Sequence, residues 1–307
     1  MKIVVTGGAG FIGSHLVDYL IEKNHRVAVI DNLLTGRKEN LNKKARFYKI
    51  DICSPEILQI FKDEKPEIVF HLAALPRVPL SVKEPVLTTK VNITGTVNIF
   101  KAALDCGAKR VIFASSSSVY GEQKNLPLKE NFLPKPISPY GLQKWVGEQF
   151  AKLFVKFYKI PIVSLRYFNV YGPRMDFNSE YSLVIGKFLK QRAENQPLTI
   201  YGDGKQTRAF CYITDVIEAT AKAAFSEKIK GGEVINIGME KGYSINYLAN
   251  LIGGKVVYLP PREGDVKHTK ADITLAKELL DWSPKVALEK GIRKTKEWFQ
   301  KIYKNKI

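Results

Sequence analysis

Near its start the chain carries a strand, a glycine turn, a helix and a second strand ending in an acid, and few folds accommodate that order. Ile3-Val4-Val5-Thr6 reads as a buried strand. Gly7-Gly8-Ala9-Gly10-Phe11-Ile12-Gly13 turns into a helix over residues 14–23, and Val27-Ala28-Val29-Ile30-Asp31 forms the second strand. Strand, glycine turn, helix and acid-terminated strand within about 30 residues make a dinucleotide-binding unit. Gly7 and Gly10 permit a tight turn and close approach of backbone to a pyrophosphate, while Gly13 lets the helix pack on the sheet. The helix start supplies free amides and a positive dipole end. Asp31 is placed to accept hydrogen bonds from ribose hydroxyls, and its charge repels a 2′-phosphate, so the unit predicts NAD over NADP. Arg37 and Lys38 are expected on a mobile polar loop nearby.

The alternation continues. Residues 46–50 read as a short strand ending at Asp51, 55–62 as a helix and 67–74 as a strand ending in His71-Leu72-Ala73-Ala74. A long helix is expected over 91–106, a strand over 110–115, a helix over 139–158 and a strand over 162–165. This predicts an α/β fold with a doubly wound, mostly parallel sheet, ligands lying beyond the carboxyl ends of its strands. His71 has no second His or Cys at metal-ligand spacing and reads as a packed strand-end residue, with no metal site expected. After residue 165 the pattern is less regular. Helices are expected over 183–194, 216–226, 245–251 and 273–280, and strands over 197–201, 234–237 and 255–259. The expectation is a dinucleotide-binding domain over 1–165 and a smaller C-terminal α/β lobe over 166–307, some segments of which return to the first.

Ser138-Pro139-Tyr140-Gly141-Leu142-Gln143-Lys144 is the second informative stretch. Pro139 suits the first position of a helix, and Ser138 can cap the amides behind it. Tyr140 and Lys144 then project from one face. A phenol beside an ammonium ion is expected to ionise below its usual pKa of about 10, which makes a general base near neutral pH. Ser115-Ser116-Ser117-Ser118 follows a strand and is expected opposite this helix, its hydroxyls facing a substrate.

Composition excludes several classes. At 307 residues the chain can bury a large core, with 45% hydrophobic and 25% charged residues. No apolar run reaches the roughly 18 residues of a membrane helix. Met1-Lys2 leads straight into a strand, so no secretory signal is expected, and Cys53, Cys106 and Cys211 lack metal-ligand spacing. These features predict a cytoplasmic protein with reduced thiols. A formal net charge of +18 favours anionic partners. Because the charges are scattered among acids with no arginine-rich tract, they read as a solvated surface and argue against nucleic acid.

Taken in order, these motifs resemble the extended short-chain dehydrogenase/reductase family, specifically its NAD-dependent nucleotide-sugar epimerases and dehydratases. The matching residues are 6–16, His71 to Ala74, Ser116 with Val119-Tyr120-Gly121, Tyr140 with Lys144, Arg166 through Arg174, 202–210 and Arg262 to Asp265. The resemblance runs from Met1 to about Pro284 and implies a Rossmann-type fold with a C-terminal nucleotide-sugar lobe. It implies NAD contacts from Gly7, Gly10, Phe11, Ile12, Gly13, Asp31, Asn32, Asp51, Ile52, Leu72, Ala73, Ala74, Tyr140, Lys144 and Tyr167. Tyr140 would take a proton from the sugar 4-hydroxyl, Lys144 would bind the nicotinamide ribose and lower the phenol pKa, and Ser116 would hydrogen-bond the same hydroxyl. Ser116, Ser117, Tyr140, Asn169, Arg208, Arg262, Asp265 and Thr269 would meet the UDP-sugar. Two guanidinium groups suit a diphosphate. A homodimer through helices 91–106 and 139–158 is a further implication.

Relatives that eliminate water carry Thr-Asp-Glu before the Val-Tyr-Gly, and glucuronate decarboxylases carry Glu where Ser118 stands. With Ser116-Ser117-Ser118 here, the resemblance implies 4-epimerisation of UDP-glucose and UDP-galactose, extended to N-acetylhexosamines because Thr269 is small. A UDP-glucuronate 4-epimerase stays open through Arg77, as do dehydratase and decarboxylase chemistry. The competing class is a non-catalytic NAD- or nucleic-acid-binding regulator, for which only the net charge speaks.

Overall fold

The computed structural model describes residues 1–177, 183–261 and 267–304. Its first half runs β1 (Lys2–Thr6), α1 (Phe11–Glu22), β2 (Arg26–Ile30), β3 (Arg46–Tyr48), α2 (Ile57–Glu64) and β4 (Ile68–His71). Short helices α3 (Val78–Lys83) and α4 (Pro85–Thr89) lead into α5 (Thr96–Asp105), β5 (Arg110–Ser116), α6 (Pro139–Tyr158) and β6 (Ile162–Tyr167). Six of these strands and Val234–Ile237 form one seven-stranded sheet, ordered Val234–Ile237, β6, β5, β4, β1, β2, β3. Each neighbouring pair is parallel.

The near-continuous apolar strands have a simple cause. Val4 and Val69 pack on one face of the sheet, Val5 and Phe70 on the other, and helices cover both. Strand order reverses between β1 and β4, where Thr6 pairs with both Ile30 and His71. A crevice opens beyond the strand ends at such a switch point. Gly7 and Leu72-Ala73 meet there.

Several boundaries differ from the sequence expectation. The first helix begins at Phe11, directly after the turn, because Gly10 in extended conformation starts it without a side-chain cap. The single helix expected over 91–106 is interrupted by a π-helical segment, Lys90–Gly95, between α4 and α5. There Asn92 is fully buried: its Oδ1 accepts from the Leu75 amide at 2.8 Å and its Nδ2 donates to the Leu75 carbonyl at 3.2 Å. Wide turns of this kind recur at functional sites, and this one clamps the segment after β4. Helix α3 and the terminal helix Leu288–Lys304 were not expected; the latter buries Leu288, Ile292, Thr295 and Phe299 along one stripe.

The second half contains small pairings rather than one sheet. Leu198–Tyr201 pairs in parallel with Val256–Leu259, Val170–Tyr171 with Cys211–Tyr212, and Thr207–Arg208 runs antiparallel to Tyr243–Ser244. These short elements stand over the carboxyl ends of the main strands.

Candidate active site

The glycine turn is shaped by two close approaches. Gly7 has φ of +73°, and a Cβ built there would sit 2.7 Å from the Ala73 nitrogen. A Cβ on Gly13 would overlap the Gly7 carbonyl. No acidic residue stands in the first turn of α1, so its amides face the crevice with their positive field intact. Asp31 is 8% exposed; Oδ2 accepts from the Ala9 amide at 3.0 Å and Oδ1 from the Leu33 amide at 2.8 Å. Burial raises its pKa while these amides pull it down. The carboxylate therefore braces the glycine turn as well as facing the cleft, each oxygen keeping a lone pair. Behind it, Asn32 Nδ2 donates to Asp51 Oδ2 at 2.9 Å, and Asp51 Oδ1 accepts from the Cys53 amide.

Helix α6 starts as its sequence requires: Pro139 is in the first turn and Ser138 Oγ accepts from the Gly141 amide at 3.1 Å. The Tyr140 amide donates to Ser81 Oγ on α3 at 3.0 Å. Lys144 Nζ lies 6.0 Å from the Tyr140 ring centroid, confirming the shared face, and donates to the Ala114 carbonyl at 2.7 Å. Both side chains are buried. The expected acidic phenol is not what this environment produces. Burial raises the Tyr140 pKa, and the groups that pull it down are the Ser116 hydrogen bond and the Arg77 charge. Lys144 is itself brought down to about 7 by burial, against the opposing charge of Glu148.

Ser116 ends β5, and its Oγ accepts from the Ser118 amide at 3.1 Å and donates to Ser118 Oγ at 3.1 Å. His71 is a packed strand-end residue, as expected. Nδ1 meets Thr6 Oγ1 at 2.7 Å, Nε2 meets Thr96 Oγ1 at 3.0 Å, and burial lowers its pKa to about 3.

These parts line one cleft of about 1470 Å³. Its wall includes Gly7, Gly10 to Gly13, Asp31, Asn32, Asp51, Ile52, Leu72 to Ala74, Ser116, Ser117, Tyr140, Lys144 and Tyr167. Asn169, Arg208 and Thr269 line the same cleft from the second half. Asn169, at φ +35°, donates from Nδ2 to the Ala209 carbonyl at 3.2 Å and to Thr269 Oγ1 at 3.3 Å. Arg208 Nη1 donates to the carbonyls of Thr207 and Lys267. Arg262 and Asp265 lie outside the described residues.

Two clusters escaped the sequence reading. Arg77 Nη2 donates to Asp176 Oδ2 at 3.2 Å, and Arg37 Nη2 lies 3.8 Å from the other oxygen. Arg37 is thereby anchored, with its guanidinium carbon 5.8 Å from the Phe177 ring centroid and its amide bonded to Ala9, where a mobile loop was expected. No local pattern announces a partner 99 residues away. The second cluster is the buried pair Glu148–Arg166 beneath Lys144, with Arg166 Nη2 2.7 Å from Glu148 Oε2. Here a signal existed, since Glu148 stands four residues after Lys144.

Such a fold and site define an NAD-dependent enzyme of the short-chain dehydrogenase/reductase class. Residues 3–238 match the model of the NAD dependent epimerase/dehydratase family, and the chain belongs to that family. It is 41% identical to the UDP-glucose 4-epimerase of Thermotoga maritima, whose structure with UDP-glucose covers 99% of this chain and 100% of that one at a TM-score of 0.95. The UDP-N-acetylglucosamine 4-epimerase of Methanobrevibacter ruminantium M1, solved with UDP-N-acetylmuramic acid, is also 41% identical, with 98% of each chain covered and a TM-score of 0.93. A UDP-N-acetyl-alpha-D-glucosaminuronate decarboxylase of Bacillus cytotoxicus is 35% identical over 98% of both chains. NAD is the cofactor. The cradle fits it, because backbone meets backbone at Gly7 and Ala73 with no side chain between them and the α1 amides beyond.

Proposed function

We propose that this chain is a UDP-hexose 4-epimerase interconverting gluco- and galacto-configured sugars, with UDP-glucose and UDP-N-acetylglucosamine both accepted. The carrying observation is that Tyr140, Lys144 and Ser116 converge in a cleft where the two positions after Ser116 hold hydroxyls. Elimination and decarboxylation need an extra proton-transfer group there. Among the described lining residues the acids are Asp31, Asp51 and Asp176, each engaged by amides, Asn32 or arginines away from Ser116.

The residues divide the work. Ser116 orients the sugar 4-hydroxyl and, with Arg77, favours the ionised Tyr140 phenol that takes its proton. NAD, when bound, would accept hydride from C4 and return it to C4. Lys144, in its protonated form, places positive charge at the ribose and below the phenol. After the 4-ketose turns in the cleft so that C4 presents its other face to the returning hydride, Tyr140 gives the proton back to the C4 oxygen. Asn169 and Arg208, with Arg262 and Asp265, hold the diphosphate and sugar, and Thr269 leaves room for an N-acetyl group at C2.

A uronate reading has one supporting residue, Arg77, and a substrate carboxylate would share it with Asp176. The same proposal includes a homodimer, supported by exposed Leu142, Leu153, Phe157 and Tyr158 on α6, and a cytoplasmic setting, supported by the free thiols of Cys53, Cys106 and Cys211. No helix among the described residues is long and apolar enough to cross a membrane.

The test is proton NMR of UDP-glucose, UDP-N-acetylglucosamine and UDP-glucuronate, incubated separately with purified protein and no added cofactor. The galacto epimers of the first two are expected. A 4-keto or pentose product would move the chain to the dehydratase or decarboxylase branch, and no change even with NAD supplied would favour a non-catalytic binding protein.

A further inference from the structure

Three successive residues at the end of β5 each engage a different residue of α6. The Ala114 carbonyl accepts from Lys144 Nζ at 2.7 Å, Ser115 Oγ donates to Glu148 Oε1 at 2.6 Å, and the Ser116 hydroxyl favours the ionised form of the Tyr140 phenol. Tyr140, Lys144 and Glu148 recur every four residues, so strand end and helix face are joined along one line. Glu148 is 1% exposed and its carboxylate is filled. Arg166 Nε donates to Oε1 at 2.9 Å and Nη2 to Oε2 at 2.7 Å. Arg166 in turn stacks 4.5 Å from the Tyr120 ring centroid, and the Tyr120 hydroxyl donates to Asn236 in the neighbouring strand.

A buried ion pair contributes little net stability compared with apolar residues of the same volume, so its presence under a catalytic helix calls for another reason. We infer that Glu148, held by Arg166 and Ser115, is a positioning residue that sets the charge on Lys144 and the alignment of Ser116 with Tyr140. This rests on the 4-epimerase reading of the site. Other groups around Lys144 do not supply the missing negative charge. Burial disfavours the anionic form of Tyr140 on the same helix, and His71 beyond β4 is neutral above about pH 3. Arg77 is cationic and acts on Tyr140, while Arg166 faces Glu148 from behind. Glu148 is the group whose charge opposes the loss of the Lys144 proton. Through Ser115 the same carboxylate holds the residue adjacent to Ser116, so one side chain governs both ends of the reacting pair.

The experiment is an NMR titration of Lys144 in full-length protein labelled with nitrogen-15 at lysine Nζ, its signal assigned by loss in Lys144→Met. Wild type should titrate near pH 7. The double variant Glu148→Gln, Arg166→Gln removes both charges and keeps hydrogen-bonding groups in place; its Lys144 midpoint should fall by roughly one unit. Turnover should then decline more steeply at alkaline pH, whereas a merely structural role would lower it equally at every pH. If the double variant does not fold, Ser115→Ala serves, since it strips a donor from Glu148 and should raise the Lys144 midpoint. Midpoints unchanged in the folded variant overturn the inference. The titration is read without any sugar, so failure of the 4-epimerase reading, seen as no epimer in the wild-type assay, stays distinguishable.

Discussion

The two walls of the cleft are built differently. On the dinucleotide wall, strand ends of a seven-stranded parallel sheet and helix α6 deliver the polar groups, and each is tied into the fold: Asp31 to Ala9 and Leu33, Asp51 to Asn32 and Cys53, Lys144 to Ala114. On the sugar wall, Asn169, Arg208 and Thr269 come from short strands and connections, and Arg208 is held by carbonyls of Thr207 and Lys267. The contrast teaches where variation is tolerated. On the proposed function, proton transfer, which needs fixed geometry, falls to the sheet and α6, and sugar choice to connections that can change without disturbing the sheet.

The largest test of this contrast is Tyr140→Phe. Turnover should fall about 10³-fold, in the range for loss of a general base, with NAD content and unfolding temperature preserved. Loss below threefold would remove Tyr140 from the reaction. His71→Gln probes the sheet behind that wall through stability. The folded-state pKa of about 3 lies below the ordinary imidazole value of 6.5, so the unfolded chain binds a proton that the folded one excludes. The stability this neutral ring contributes is present above about pH 6.5 and is lost as pH falls towards 3, by on the order of 3 kcal/mol. Urea denaturation of wild type and His71→Gln at pH 7 and pH 4 should show a flatter pH dependence in the variant; equal slopes would refute the assignment. The smallest effect belongs to the sugar wall. Thr269→Tyr should lower kcat/KM for UDP-N-acetylglucosamine about tenfold relative to UDP-glucose, the scale of a steric change in a pocket. An equal loss for both sugars would mean that Thr269 does not meet the C2 substituent.

The dinucleotide unit and the start of α6 were legible because their signals are local: glycine spacing, a serine cap, a proline and a four-residue step. What escaped depends on tertiary contact. The π-helical turn at Lys90–Gly95 places the Asn92 amide on Leu75, which no helical period encodes. Burial reversed the direction expected for the Tyr140 phenol, because composition does not reveal how far water is excluded from Lys144. The two-residue pairings over the cleft exist only when their partner strands are already in place.

Strand Val234–Ile237 has a consequence for how this chain is made. It completes the sheet beside β6, whose six residues are all buried. A protein cut after residue 167 would present β6 as a bare hydrophobic edge, an invitation to pair with other chains. During synthesis that edge waits for some seventy further residues, emerging at roughly 5–20 per second, before its neighbour arrives. The two halves of the cleft are therefore not separable modules. A split version would need its break elsewhere than between them.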